Sequence, residues 1–124
     1  MSEPDLISWA IAYVEAQSFE ESVHENHPLW WPIGRFFDLQ HNRPEECWQA
    51  ILAVLDLNPP ERVLGMLAAG PLEDLIEYHG EEFIRRIEIE AWRSLPFRLL
   101  LQGVWSSGTP AIWARVEKAR TIDG

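Results

Sequence analysis

The sequence has few of the residues that would place it in a membrane, in a disulfide-bonded scaffold or on nucleic acid. Its 124 residues include a single cysteine, Cys47, so no disulfide can form within the chain. No apolar run approaches the roughly 20 residues of a membrane-spanning helix, and the acidic N-terminus lacks the cationic start of a signal peptide. We therefore expect a reduced, cytoplasmic protein that does not bind a membrane.

Basic side chains are also scarce. Ten Lys and Arg stand against 20 Asp and Glu, which gives a formal net charge of −10. Sequence-independent binding of nucleic acid requires cations that neutralise phosphates, so we expect no direct nucleic-acid partner. Residues 1–80 hold 14 acidic and 3 basic side chains, whereas residues 81–124 hold 6 acidic and 7 basic ones. This acidity either keeps the protein soluble or forms a surface that meets a basic partner.

Signals for β-strands are missing as well, because no alternating run of β-branched and aromatic residues occurs. Hydrophobic residues make up 47% of the chain, which is enough for one packed domain of this length. We predict a single all-α domain over residues 1–124, a compact bundle of six or seven short helices. Stacking of helix pairs as in an α-solenoid is the alternative arrangement.

Proline and glycine mark the expected ends of these helices. Proline is favoured in the first turn of a helix, where its missing N–H is not needed, and Pro44, Pro71 and Pro110 each stand before a helix-like run. Gly70 and Gly80 stand where helix C-caps are expected. The pattern therefore predicts that separate helices end at these two glycines.

Several local contacts follow from spacing. Asn58 and Thr109 precede prolines and are expected to cap the next helix. Glu81 and Glu82 are expected to pair with the arginines four residues later on the same helix.

The segment 19–43 departs from the helical pattern. Its prolines are too close together for a long helix, so we predict an irregular connection that leads into a short helix around residues 33–39. Long irregular segments in small domains are often functional.

Tryptophan is unusually frequent. Five of the seven tryptophans lie in helical patterns and are expected to pack in the core: Trp9, Trp48, Trp92, Trp105 and Trp113. Trp30 and Trp31 are adjacent in the irregular segment and cannot easily be buried on the same side. We therefore expect one of these two to be exposed.

No motif identifies a reaction. The polar cluster of His24, Glu25, His27 and His41 lacks the ligand spacing of a zinc site, and these histidines are expected to be exposed. Cys47 lies in the most apolar predicted helix, where burial suppresses the reactive thiolate. We expect no enzyme, no metal and no cofactor. His79, before Gly80, is expected in the last turn of a helix, where a cation complements the helix dipole.

Several strings resemble an uncharacterised bacterial family, a domain of unknown function. They are Leu-Ala-Ala-Gly-Pro-Leu-Glu-Asp-Leu at 67–75, Tyr-His-Gly-Glu-Glu-Phe-Ile at 78–84, Arg-Ile-Glu at 86–88, Leu-Pro-Phe-Arg-Leu-Leu-Leu at 95–101 and Gly-Val-Trp at 103–105. The resemblance covers roughly residues 45–105, and it implies a small all-helical bacterial protein with no catalytic residues to carry over.

In size, charge and class the chain also looks like the immunity proteins that neutralise bacterial toxins. The resulting hypothesis is an inhibitor that binds a cognate toxin, for example a basic nuclease, through an acidic surface. The alternative is a helical interaction module or small homo-oligomer without a toxin partner. The residues expected to contact the partner are Glu20, Glu21, Glu25, Trp30, Trp31, Glu73, Asp74 and Glu77.

Overall fold

The computed structural model describes residues 3–18, 26–28 and 30–121, and all regular structure within them is helical. The elements are α1 (Glu3–Gln17), α2 (Trp31–Asn42), α3 (Pro44–Leu55), α4 (Glu61–Leu67), a π-helical segment (Ala68–Leu72), α5 (Glu73–Arg93), α6 (Leu95–Leu101) and α7 (Pro110–Arg120). The predicted all-α class is confirmed. The helix expected around 33–39 is confirmed as α2 and is longer than predicted, so less of 19–43 is irregular than the proline spacing suggested.

An aromatic cluster joins the first two helices. Trp9 and Tyr13 of α1 meet Phe36 of α2 edge to face, with ring centroids 4.6 and 4.9 Å away. The indole N–H of Trp9 also donates a hydrogen bond to the backbone oxygen of Pro32, at 3.0 Å. These contacts fix α1 on α2, the next helix along the chain.

A second cluster joins α3 to the C-terminal half. Trp48 packs against Phe83 of α5 and Phe97 of α6, with centroid distances of 6.0 and 5.6 Å. The most extensive contact of α5 is with α7. In a solenoid of helix pairs each pair would contact only the neighbouring pairs, whereas α5 contacts α7 and also α2, three helices earlier. The helices therefore form an irregular bundle.

The chain remains helical from Glu61 to Arg93, which corrects the two predicted helix ends. Gly70 and Pro71 lie in the π-helical segment, whose wider turn accommodates a proline that lacks an N–H and would crowd the preceding turn of an α-helix. Gly80 lies inside α5, next to a kink at His79. A Cβ at Gly80 would lie 3.0 Å from Cγ2 of Ile112. The missing side chain of this glycine therefore allows α7 to pack closely on α5, and the residue does not end a helix.

The expected caps and ion pairs have mixed outcomes. Thr109 caps α7, with its hydroxyl accepting the N–H of Ile112 at 3.2 Å, as predicted. Asn58 does not cap a helix, because α4 begins after Pro60 and Asn58 has a positive φ of 50°. In the described part of the chain, Arg86 pairs with Glu45 of α3 and not with its own-helix neighbour Glu82. Packing of α5 against α3 places Glu45 within its reach.

Candidate binding surface

Exposed tryptophans mark the surface of this protein. Trp105 is 77% exposed in the connection between α6 and α7, and Trp92 is 73% exposed on the outer side of α5. The expectation that both pack in the core is wrong, because Trp105 follows the end of a helix and Trp92 lies off the buried stripe of α5. Trp9 and Trp48 are buried, as predicted, and Trp113 is partly buried.

The adjacent tryptophans behave as expected. Trp31 is 54% exposed at the beginning of α2, whereas Trp30 packs against the core. The indole nitrogen of Trp30 would lie 3.0 Å from a Cβ at Gly34, so its ring lies over the first turn of α2.

The connection that carries Trp105 is held by side chains from two helices. The carboxylate of Glu73 accepts the backbone N–H of Trp105 at 3.1 Å, and that of Glu77 accepts the N–H of Gly108 at 2.6 Å. From α7, Arg120 donates to the backbone oxygen of Val104 at 3.0 Å. Gly108 has a φ of 73°, a left-handed conformation that favours glycine. Trp105 is thus an exposed ring on an anchored backbone.

Carboxylates of α5 lie beside this anchored segment. Residues 63–84 contain five acidic side chains and no Lys or Arg. Among them, Glu81 and Glu82 are exposed and have no ion-pair partner within the described residues. A cleft of about 240 Å³ between the kink of α5 and the start of α7 brings part of this set together with an exposed tyrosine, since its lining includes Glu77, Tyr78, Glu81, Glu82, Gly108 and Thr109.

We call this region the acidic–aromatic surface. Its members are Glu73, Glu77, Tyr78, Glu81, Glu82 and Trp105. Tyr78 is 61% exposed, so this surface of α5 and the Trp105 connection combines two large exposed aromatic rings with carboxylates. Such a surface suits a partner that is basic and offers apolar contact, because Trp and Tyr are frequent interface anchors.

The structure brings together only part of the predicted binding set. Glu73 and Glu77 meet at the Trp105 connection, where both also have a structural role as hydrogen-bond acceptors. Asp74, which follows Glu73, is half-buried. It lies close enough to Cys47 of α3 for its charge to raise the pKa of that thiol. Trp31 stands at the beginning of α2. The predicted contacts Glu20, Glu21 and Glu25 lie outside the described residues.

Sequence reasoning missed Tyr78, Glu81, Glu82 and Trp105. One signal was available for the acidic members, since residues 63–84 are the longest stretch after Arg35 without a Lys or Arg. A second was the string Ser-Ser-Gly at 106–108, which indicates a helix connection and therefore a surface position for the tryptophan before it. Neither signal shows that Glu73 and Glu77 hold that connection in place.

The candidate nucleophile and metal ligands do not converge. Cys47 is fully buried, and burial, together with the charge of Asp74, raises the pKa of its thiol to about 12. His27 is exposed, the His41 side chain and all of His24 lie outside what the structure describes, and no group of three or more metal-ligating side chains occurs in the described residues. The helix-end position expected for His79 is wrong, since it lies at the kink of α5.

The bundle is an all-helical fold whose acidic–aromatic surface is exposed. The chain belongs to a family of unknown function (DUF6869), whose model matches residues 19–124. This family covers more of the chain than the expected 45–105 and includes α2, whereas α1 precedes it. Neither a curated protein nor a solved structure matches the chain. No helix in the described ranges has the length and apolar character needed to span a membrane.

Proposed function

We propose that this protein is a non-catalytic immunity protein, which binds and neutralises a basic bacterial toxin in the cytoplasm through its acidic–aromatic surface. The observation that carries this proposal is the anchored, 77% exposed Trp105 beside Glu73. On the same helix, the exposed Glu81 and Glu82 have no ion-pair partner within the described residues. Cys47 is buried and its thiol stays protonated, so this side chain does not act as a nucleophile.

The two kinds of side chain have different tasks in such a complex. Uncompensated carboxylates accelerate the encounter with a basic partner and exclude acidic ones, an effect that salt weakens. An aromatic ring held by its backbone loses little conformational freedom on binding, so its buried area contributes more to affinity. We therefore expect Glu81 and Glu82 to govern association, and Trp105 to govern dissociation.

The test uses the product of the gene adjacent to this one, because toxin and immunity genes are normally neighbours. Glu81→Lys with Glu82→Lys is expected to slow association at low salt by about tenfold or more and to flatten its salt dependence. Trp105→Ala is expected to raise the Kd about 30-fold, mainly through faster dissociation. Surface plasmon resonance measures both rates, and growth on toxin expression measures protection.

Matched controls separate the surface from general effects of charge and size. Glu15→Lys changes an exposed carboxylate on α1, and Trp92→Ala removes an equally exposed tryptophan elsewhere. Both controls should bind as the unmodified protein does. Glu73 and Glu77 are poor first targets because their substitution would also release the Trp105 connection. Absence of binding to the adjacent gene product, or full protection by both surface variants, would contradict the proposal.

A further inference from the structure

A groove on a different part of the molecule has an apolar wall on each side. It lies between α1 and α3, has a volume of about 590 Å³, and is bordered by Leu6, Ile7, Ala10, Leu52, Ala53 and Leu57. Ile7 and Leu57 are exposed large hydrophobic residues on its rim. Exposed apolar surface of this kind often marks an interaction site.

A protruding apolar side chain lies on the same face. Leu52 lines both this groove and a neighbouring depression that extends to Ile89 of α5. Ile89 in turn lines a third depression together with Trp92, which is 73% exposed. The groove and the Trp92 side chain are therefore two parts of one continuous surface.

A cation lies beside the Trp92 side chain and an anion lies beside the groove. Arg85 lies beside Trp92, and Asp56 lies beside the groove. Within the described residues, neither has an ion-pair partner. Asp56 also stands at the C-terminal end of α3, which has no basic residue in its last turn, and the dipole of a helix makes that end more negative.

We propose that two copies of this chain form a symmetric dimer, in which Trp92 of each copy enters the α1–α3 groove of the other and Arg85 of each approaches Asp56 of the other. A two-fold interface requires one patch to be complementary to itself. This surface meets that requirement, because it carries a protruding ring beside Arg85 and a groove beside Asp56. The other charged residues that line it are all in ion pairs within the chain: Arg86, Glu88, Glu90 and Arg93. The groove is large enough to receive a bulky side chain, since its volume is typical of ligand pockets.

This dimer goes beyond the proposed function and uses none of the residues of the acidic–aromatic surface. If the protein proved to be monomeric, the proposal of toxin binding would still stand. If it bound no toxin, the proposal of a dimer would still stand. The two proposals are therefore tested by separate variants.

The first experiment measures the mass of the full chain by sedimentation equilibrium over a range of concentrations. We expect a monomer–dimer equilibrium, which Trp92→Ala weakens at least about 30-fold. Ile7→Glu, which places a carboxylate on the rim of the groove, should weaken it similarly. Trp105→Ala removes an equally exposed ring outside this surface and should leave the equilibrium unchanged. Circular dichroism confirms that each variant is folded.

The second experiment mixes two variants. Trp92→Ala and Ile7→Glu each lose both contacts in their own dimer, but a mixed dimer retains one intact contact, from Trp92 of the Ile7→Glu chain to the unmodified groove of the other. The mixture should therefore dimerise at concentrations where each variant alone is monomeric. A monomeric unmodified protein, unchanged dimerisation of Trp92→Ala, or a mixture no more associated than its components would each overturn the proposal.

Discussion

Arg86 connects α5 to α3 and to the aromatic core at the same time. Its guanidinium group binds the carboxylate of Glu45 through two nitrogens, one of them at 3.0 Å. The same group lies over two rings, 5.4 Å from the centroid of Trp48 and 5.1 Å from that of Phe83. A planar, permanently charged group can satisfy both contacts, whereas a lysine could not form the two-point pair.

The pair with Arg86 predicts a pH dependence of stability. The hydrogen bond from Arg86 lowers the pKa of Glu45, so the folded state favours the ionised carboxylate. The resulting stabilisation is present above the unfolded-state pKa, about 4.3, and is lost as the pH falls through the lower folded-state value. Glu45→Gln should therefore lose less stability than the unmodified protein between about pH 5 and pH 3.

This difference should be below about 1 kcal/mol, because water screens an exposed pair. Urea unfolding at a series of pH values measures it. Glu15→Gln, at an exposed position without an ion pair in the described residues, is the control and should retain the parent profile. Identical profiles for Glu45→Gln and the parent would show that the pair contributes nothing to folding.

At the scale of elements, the helical stretch from α4 through α5 determines the shape of the C-terminal half. The π-helical turn around Pro71 and the kink at His79 both change its course. The kink is followed by Gly80, where α7 approaches so closely that a methyl group would contact Ile112 at 3.0 Å. The sequence around 70–71 and 80 predicts helix ends, because Gly and Pro occur both where a helix ends and where a continuous helix changes direction.

Two glycines in this stretch should respond oppositely to alanine. A Cβ at Gly65 of α4 would have no atom within 4 Å, so Gly65→Ala should stabilise the protein by up to about 1 kcal/mol through helix propensity. Gly80→Ala gains the same propensity but forces α5 and α7 apart, and should destabilise by about 1–3 kcal/mol. Thermal and urea unfolding measure both changes. Stabilisation by Gly80→Ala would mean that the α5–α7 contact adjusts without cost.

At the scale of the whole molecule, the boundary of the family and the boundary of the core differ. The family model begins at residue 19, yet α1 supplies Trp9 and Tyr13, both of which are buried. These two rings cover Phe36 of α2, which belongs to the family region. The core of this chain is therefore completed by residues outside the family match.

Deletion of residues 1–18 tests this dependence. Loss of a buried aromatic side chain costs about 3–5 kcal/mol, and two such losses approach the total stability of about 5–15 kcal/mol that is usual for a domain. We expect the shortened chain to lose cooperative thermal unfolding and its near-ultraviolet circular dichroism. A cooperative transition close to that of the full chain would show instead that residues 19–124 are a sufficient folding unit.

The sequence by itself determined the helical class, the burial of Cys47, the cap at Thr109 and the exposure of one of the two adjacent tryptophans. These properties depend on composition and on neighbours a few residues apart. Only the tertiary structure decided that Trp92 is exposed, that Glu73 and Glu77 hold the Trp105 connection, and that Arg86 pairs across helices. Periodicity shows which side chains share one side of a helix. It does not show which helix, if any, covers that side, because packing brings together residues that are distant along the chain.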